Sequence, residues 1–150
     1  MKNNVINFLR AAYPFLLTVG LWRLSVPVWN PAGILAIIPM FFCSFIMPVK
    51  WFGLFSCFIC IVLDYKFETT CFWLAMYCLF YAVNGFQSVI DLTHTNKDGL
   101  YAFLGFLACC VLILFFANPG VINLVQGIWI ILWSTVLYVP IIMSIKRIYK

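Results

Sequence analysis

LYAFLGFLACCVLILFFA, residues 100–117, is the stretch that decides the fold class of this chain. It runs for eighteen residues without a charge, and an apolar run of that length is typical of a helix that crosses a bilayer. The whole chain has a similar character, with 66% hydrophobic, 19% aromatic and only 9% charged residues. Because a water-soluble fold needs far more polar surface, we expect an all-α membrane protein in which residues 1–150 form a single transmembrane helical domain.

Polar breaks divide the chain into about six apolar runs that we interpret as membrane spans. Their bounds are Asn7–Val26, Ala32–Met47, Trp51–Leu63, Thr70–Ile90, Leu100–Ala117 and Val121–Ile145. The second run is roughly 24 Å long at about 1.5 Å per residue, which is short of a hydrocarbon core of about 30 Å. Pro48-Val49-Lys50 follows it and predicts a tight turn, so the second and third runs are expected to form a hairpin. If this hairpin did not cross, four spans would remain and both termini would still share one side.

Basic residues predict the orientation of these spans. With the N-terminus in the cytoplasm, the inner loops and tails hold seven of the nine Lys and Arg residues, and the outer side holds only Arg23 and Lys66. This bias is the one that sets topology in short loops, so we predict an N-in, C-in arrangement. The net charge of +5 then lies mostly at the inner face, where anionic lipid is a sufficient partner. Since no Lys/Arg cluster is interleaved with polar residues, we expect no nucleic-acid binding.

Asp64 is the most informative charge, because it ends the third run and Lys66 and Glu68 follow closely. One interpretation is a carboxylate at the outer interface, paired with Lys66 or with Arg23. The other is a buried carboxylate that binds a partner or a proton, since charge inside a membrane is costly. On the outer side we predict one polar cluster, formed by Arg23, Asp64, Glu68, Asn123 and Gln126.

A run of small residues occupies one face of the third span. Gly53 and Cys57, like Ser56 and Cys60, have the small-xxx-small spacing that lets helices approach closely, so these four are predicted to pack against a partner helix. Cys57 and Cys60 also have the C-x-x-C spacing of metal and redox motifs, but no second pair or nearby His completes a ligand set. We therefore expect no metal and no cofactor.

The remaining polar residues predict little chemistry. His94, with Asp91 and Asp98, is a weak metal site and is better interpreted as part of a solvated inner loop. Asn84 and Gln87 share a helical face, either bonding to neighbouring helices or lining a small-molecule cavity. Because no nucleophile is paired with a base and no acid/base carboxylates are matched, we expect a protein that is not an enzyme.

Three motifs resemble the rod shape-determining MreD family, whose members are small polytopic subunits of the bacterial elongation machinery. They are Asn30-Pro31 at the start of the second span, the apolar run from Gly53 to Asp64, and the final helix Tyr138–Arg147, which contains a proline and ends in basic residues. The resemblance implies a multi-pass, non-catalytic scaffold of the bacterial inner (plasma) membrane. It also implies binding to an MreC-like protein and, through it, to the RodA and penicillin-binding-protein synthase pair and to MreB filaments.

The same six-span layout is similar to that of substrate-binding subunits of energy-coupling-factor vitamin transporters, which supplies an alternative function. A scaffold predicts surface grooves lined by small residues and filled by a partner helix. A transporter subunit predicts a cavity on the outer side into which the residues of the polar cluster converge.

Overall fold

The computed structural model of the chain describes residues 2–24, 34–66, 68–86, 96–117, 120 and 122–149, and all regular structure within them is helical. This confirms the all-α class that the sequence predicts. Six helices follow the six predicted apolar runs: α1 Lys2–Leu24, α2 Ile34–Ile46, α3 Phe52–Lys66, α4 Phe72–Phe86, α5 Asn96–Ala117 and α6 Leu124–Tyr149. The loops predicted around Pro27–Pro31 and His94 lie outside the described residues.

Three of these helices are long and apolar enough to cross a membrane, over Asn4–Arg23, Gly99–Ala117 and Leu124–Ile148. Their outward faces carry large apolar side chains, such as Phe8 on α1, which is 71% exposed, and Phe116 on α5, which is 80% exposed. Extensive exposed apolar surface is rare on soluble monomers. Helices of this length and surface are those of a membrane protein.

The second helix lies at the centre of the bundle. Every residue of α2 from Ile37 to Cys43 is buried, and the helix contacts α1, α3 and α6. It is not regular along its length, since a 3₁₀ turn at Ile34–Ala36 precedes an α-helical part and a π-helical turn at Phe42–Ile46 ends it. A helix that is apolar on all sides is a buried one. Its short length follows from this position, because a core helix need not match the bilayer thickness.

An aromatic cluster joins α2 to α4 and α5. The ring of Phe41 lies 5.7 Å from Phe80, 5.5 Å from Phe103 and 5.6 Å from Phe106, measured between centroids. Phe80 and Phe106 also meet edge to face at 4.9 Å. Tilted and edge-to-face pairs at these distances are favourable beyond the area they bury, so the cluster fixes three helices to one another.

Helices α5 and α6, and likewise α2 and α3, pack as antiparallel pairs. In α5 and α6, Phe103 stacks on Tyr138 at 4.9 Å, while Gly127 at the start of α6 faces Val111 further along α5. In α2 and α3, the Sγ of Cys60 lies 3.6 Å from the Sδ of Met40, as expected for the predicted hairpin. The end of α3 and the start of α4 also lie together, because the backbone N–H of Trp73 donates to the carboxylate of Asp64.

Candidate functional site

Asp64 lies at the end of α3 and holds the start of α4. Its side chain is buried, with 6% exposed. Oδ1 accepts hydrogen bonds from the backbone N–H of Trp73 and from the hydroxyl of Thr69, both at 2.8 Å, and Oδ2 accepts the N–H of Leu74 at 3.1 Å. The carboxylate thus serves the first turn of α4, in place of the ion pair with Lys66 or Arg23 that the sequence suggests.

The start of α4 is capped by Asp64 of α3 because the N-cap residue of α4 cannot do so itself. Cys71 precedes α4, and its carbonyl accepts the N–H of Ala75 at 2.9 Å, so Cys71 occupies the N-cap position. An N-cap residue usually offers a side-chain oxygen to the second and third helical amides, and cysteine has none. Asp64 satisfies those two amides, Trp73 and Leu74, and its negative charge also suits the positive end of the helix dipole.

The turn between α3 and α4 is a strained segment. Glu68 and Cys71 have φ values of 52° and 55°, a region that residues with a side chain rarely adopt. The N–H of Thr69 donates to the carbonyl of Asp64 at 3.0 Å, which together with the Thr69 hydroxyl closes the turn on itself. Strain of this kind persists only where the surrounding bonds enforce it.

An open cavity of about 1030 Å³ lies against this turn, and we call it the turn cavity. It is lined by Trp22 of α1, by Ile61, Val62, Asp64, Tyr65 and Lys66 of α3, and by Glu68, Thr69, Thr70 and Cys71 of the turn. The ammonium of Lys66 lies 5.1 Å above the ring of Trp22, a cation–π contact that ties the ends of α1 and α3 together.

The predicted outer-side polar cluster is not a single site. Asp64 and Glu68 line the turn cavity, whereas Arg23, Asn123 and Gln126 do not. The side chain of Gln126 instead accepts the backbone N–H of Asn123 at 3.1 Å, the reciprocal bond of a helix capping box at the start of α6. The i, i+3 spacing of these two residues therefore marks a helix end and not a ligand site.

The predicted packing face of α3 divides into two halves. Ser56 and Cys60 are buried against α2 of the same chain, where Ser56 bonds to Ser44 at 3.1 Å. The hydroxyl of Tyr77 on α4 donates to Ser44 at 3.0 Å, so three hydroxyls join three helices. This half packs within the chain, which corrects the prediction that it meets a partner helix.

Gly53 and Cys57 form the other half, and they remain at the surface. They line an open groove of about 520 Å³, here called the α3–α4 groove. Its wall is formed by Val49, Trp51, Gly53, Leu54, Cys57, Tyr77, Cys78, Tyr81 and Ala82. Cys57 of α3 and Cys78 of α4 both line it, whereas the Cys60 thiol contacts Met40 of α2, so the two cysteines of the C-x-x-C spacing point to different neighbours.

Several residues that organise these two sites escape the sequence analysis. Trp22 and Tyr77 matter through contacts between helices, and Thr69 matters through its bonds to Asp64 within the turn. No spacing within one helix reveals either kind of contact. A signal did exist for the start of α4, since Thr69 and Thr70 precede an apolar run as helix-starting residues often do. Asn84 lies in α4, but its side chain, like Gln87, Asp91, His94 and the side chain of Asp98, lies outside the described part of the structure. Within that part, no group of three or more His, Cys, Asp or Glu side chains is placed to hold a metal.

The two cavities differ in the chemistry they offer. The turn cavity presents charges of both signs beside an aromatic ring, and the α3–α4 groove presents small and apolar side chains. Compared with protein-family models, with curated proteins and with solved structures, the chain gives no match, and the resemblance to MreD stays a prediction from its motifs.

Proposed function

We propose that the chain is a non-catalytic, multi-pass scaffold of the bacterial inner membrane that belongs to a cell-elongation complex. The observation that carries the proposal is the open α3–α4 groove. Gly53 and Cys57 on one wall and Cys78 and Ala82 on the other are small residues, and small residues let a further helix approach the backbone closely. Lipid-facing helices without a partner have no need of such a groove.

The distribution of charge supports the orientation in this proposal. Lys50 follows the turn after α2, and the ammonium of Lys146 near the end of α6 lies 5.6 Å from the ring of Phe42 in α2. These basic residues share one end of the bundle, which we assign to the cytoplasm. Arg23 and Lys66 belong to the opposite end, where α1 and α3 finish.

The partner that fits the groove is the single membrane helix of an MreC-like protein. Through that protein the complex would include the RodA and penicillin-binding-protein synthase pair and MreB filaments, as the resemblance implies. Anionic lipid at the basic end is the second expected partner.

Filling the groove tests the proposal. Gly53→Leu combined with Cys57→Leu places two branched side chains in it, and the built Cβ of Gly53 meets only the Tyr77 hydroxyl at 3.9 Å, so the chain itself is expected to fold. Purification from native membranes in mild detergent, followed by mass spectrometry, should then recover an MreC-like protein with the natural chain and lose it with the variant. Leu112→Phe, at an exposed position of α5, is the matched control. Equal recovery of the MreC-like protein with both variants would refute the groove as its binding site. A normal cell shape after depletion of this chain in a rod-shaped host would refute the scaffold function.

A transporter subunit is the second candidate, and the turn cavity is the observation in its favour. Only two of the five predicted cluster residues line that cavity, however, and the Asp64 oxygens already accept hydrogen bonds from α4. Co-purification of an ATPase module with a vitamin-sized ligand would establish this function in place of the scaffold.

A further inference from the structure

The turn cavity holds two opposite charges that do not neutralise each other. Lys66 and Glu68 both line it and both are exposed. In the described part of the chain no ion pair joins them, and the Lys66 ammonium lies over the ring of Trp22 instead. A site whose ammonium and carboxylate are not paired with each other is complementary to a zwitterion.

The cavity also continues onto apolar surface. Ile61 and Val62 line it one turn before Lys66, and Ile61 is 53% exposed on the outer side of α3. A ligand that reaches from Lys66 toward Ile61 therefore passes from charged to apolar surroundings. In a helix that enters a bilayer, this is the transition from headgroup to acyl region, and Trp22 is the kind of residue found at that depth.

We propose that the turn cavity binds a phospholipid whose headgroup carries a phosphate and a primary ammonium, as in phosphatidylethanolamine. Lys66 binds the phosphate, Glu68 accepts hydrogen bonds from the ammonium, and an acyl chain lies along Ile61. Charge-assisted hydrogen bonds of this type are stronger than neutral ones. The site does not depend on the scaffold function, since it needs only that α1 and α3 end at a membrane surface.

Each part of the headgroup is required by a residue of the cavity. A lipid with phosphate and no cation, such as phosphatidylglycerol, leaves Glu68 facing a negative headgroup. A quaternary ammonium, as in phosphatidylcholine, has no N–H to donate to the carboxylate. Asp64 takes no part, because its oxygens already accept the amides of α4 and the hydroxyl of Thr69.

Native mass spectrometry of the purified full-length chain can count the lipids retained when phosphatidylethanolamine and phosphatidylglycerol compete in equal amounts. We expect the first to be preferred. Glu68→Gln should lower that preference about two- to fivefold, the range of an exposed charge pair. Retention of phosphatidylglycerol should not fall in this variant. Lys66→Met, which keeps the apolar stem over Trp22, should lower retention of both lipids by a similar factor.

Lys50→Met is the matched control, because Lys50 is an exposed lysine at the other end of the bundle. It should leave retention of phosphatidylethanolamine unchanged and lower only that of phosphatidylglycerol, the anionic lipid expected at the basic end. Both cavity variants alter exposed side chains, so melting temperatures near that of the natural chain are expected and show that the fold is intact. An unchanged lipid preference in Glu68→Gln would overturn the proposal, as would equal losses of phosphatidylethanolamine with Lys50→Met and Lys66→Met.

Discussion

The carboxylate of Asp64 accepts the backbone N–H of Trp73 at 2.8 Å, and so the last turn of α3 caps the first turn of α4. The carboxylate that the sequence suggested as a functional group instead holds two helices together. Because Asp64, Thr69 and the amides of α4 form one network, the turn cavity keeps its shape through bonds that do not involve a ligand.

Replacing Asp64 should therefore damage the structure before it damages any interaction. Asp64→Ala removes the acceptor for two helical amides, and loss of an N-cap costs up to about 2 kcal/mol. We expect the free energy of unfolding, measured by detergent titration, to fall by about that amount. Amide hydrogen exchange at Trp73 and Leu74 should rise while exchange in α5 stays constant.

A graded series separates capping from charge at this position. Asp64→Asn keeps one acceptor oxygen, and Thr69→Val removes one donor without freeing an amide of α4. Both should cost less than Asp64→Ala, roughly 1 kcal/mol for a single hydrogen bond. If Asp64→Asn proved as damaging as Asp64→Ala, the charge and not the hydrogen bonds would account for the effect.

The close contact between Gly127 and Val111 gives a second test of the fold. A Cβ built on Gly127 would lie 2.8 Å from Cγ1 of Val111, and a β-branched side chain has little freedom to move away. Gly127→Ala should therefore destabilise the chain by roughly 1 kcal/mol or more. Adding Val111→Ala should restore part of that loss. Gly105→Ala, which meets nothing within 4 Å, should instead be neutral or stabilising by a few tenths to about 1 kcal/mol.

The hydroxyl network beneath the α3–α4 groove can be measured by a double-mutant cycle. Tyr77→Phe and Ser44→Ala each remove one end of the 3.0 Å bond between them. Polar contacts between membrane helices contribute about 0.6 kcal/mol on average, so we expect a coupling energy near that value. Tyr138→Phe, whose ring stacks on Phe103 of α5, should show no coupling to Ser44→Ala.

Helix content was predictable from this sequence because the apolar runs are long and their breaks are strong. Positions such as Pro48 and Lys50 marked a real turn between α2 and α3, where Phe52 donates to Val49 at 3.1 Å. The central position of α2 could not be predicted from the sequence. Its run from Ile37 to Cys43 is apolar on every side, and that property fits a buried helix as well as a short membrane span.

The candidate sites were only partly predictable, for a physical reason. Spacing within one helix shows which residues share a face, but it does not show what covers that face. Ser56 and Gly53 belong to the same predicted surface, yet Ser44 of α2 covers the first while the second stays open. Likewise, the spacing of Asn123 and Gln126 suggested a polar site, although a capping bond explains it.

Cross-linking tests how α3 and α4 face each other across the groove. Cys57 of α3 and Cys78 of α4 line the same groove, and both are free cysteines. Diamide is expected to join them, since two thiols that lose two protons and two electrons to this oxidant form a disulfide when their geometry allows it.

The expected product is a chain that is lighter by two hydrogens and has two fewer sites for maleimide, and a reductant should reverse both changes. Cys109, which is exposed on α5, should remain open to maleimide throughout. Because the antiparallel packing of α3 and α4 is what brings Cys57 to Cys78, alkylation of both cysteines after oxidation would contradict that packing and, with it, the shape of the groove that the scaffold proposal needs.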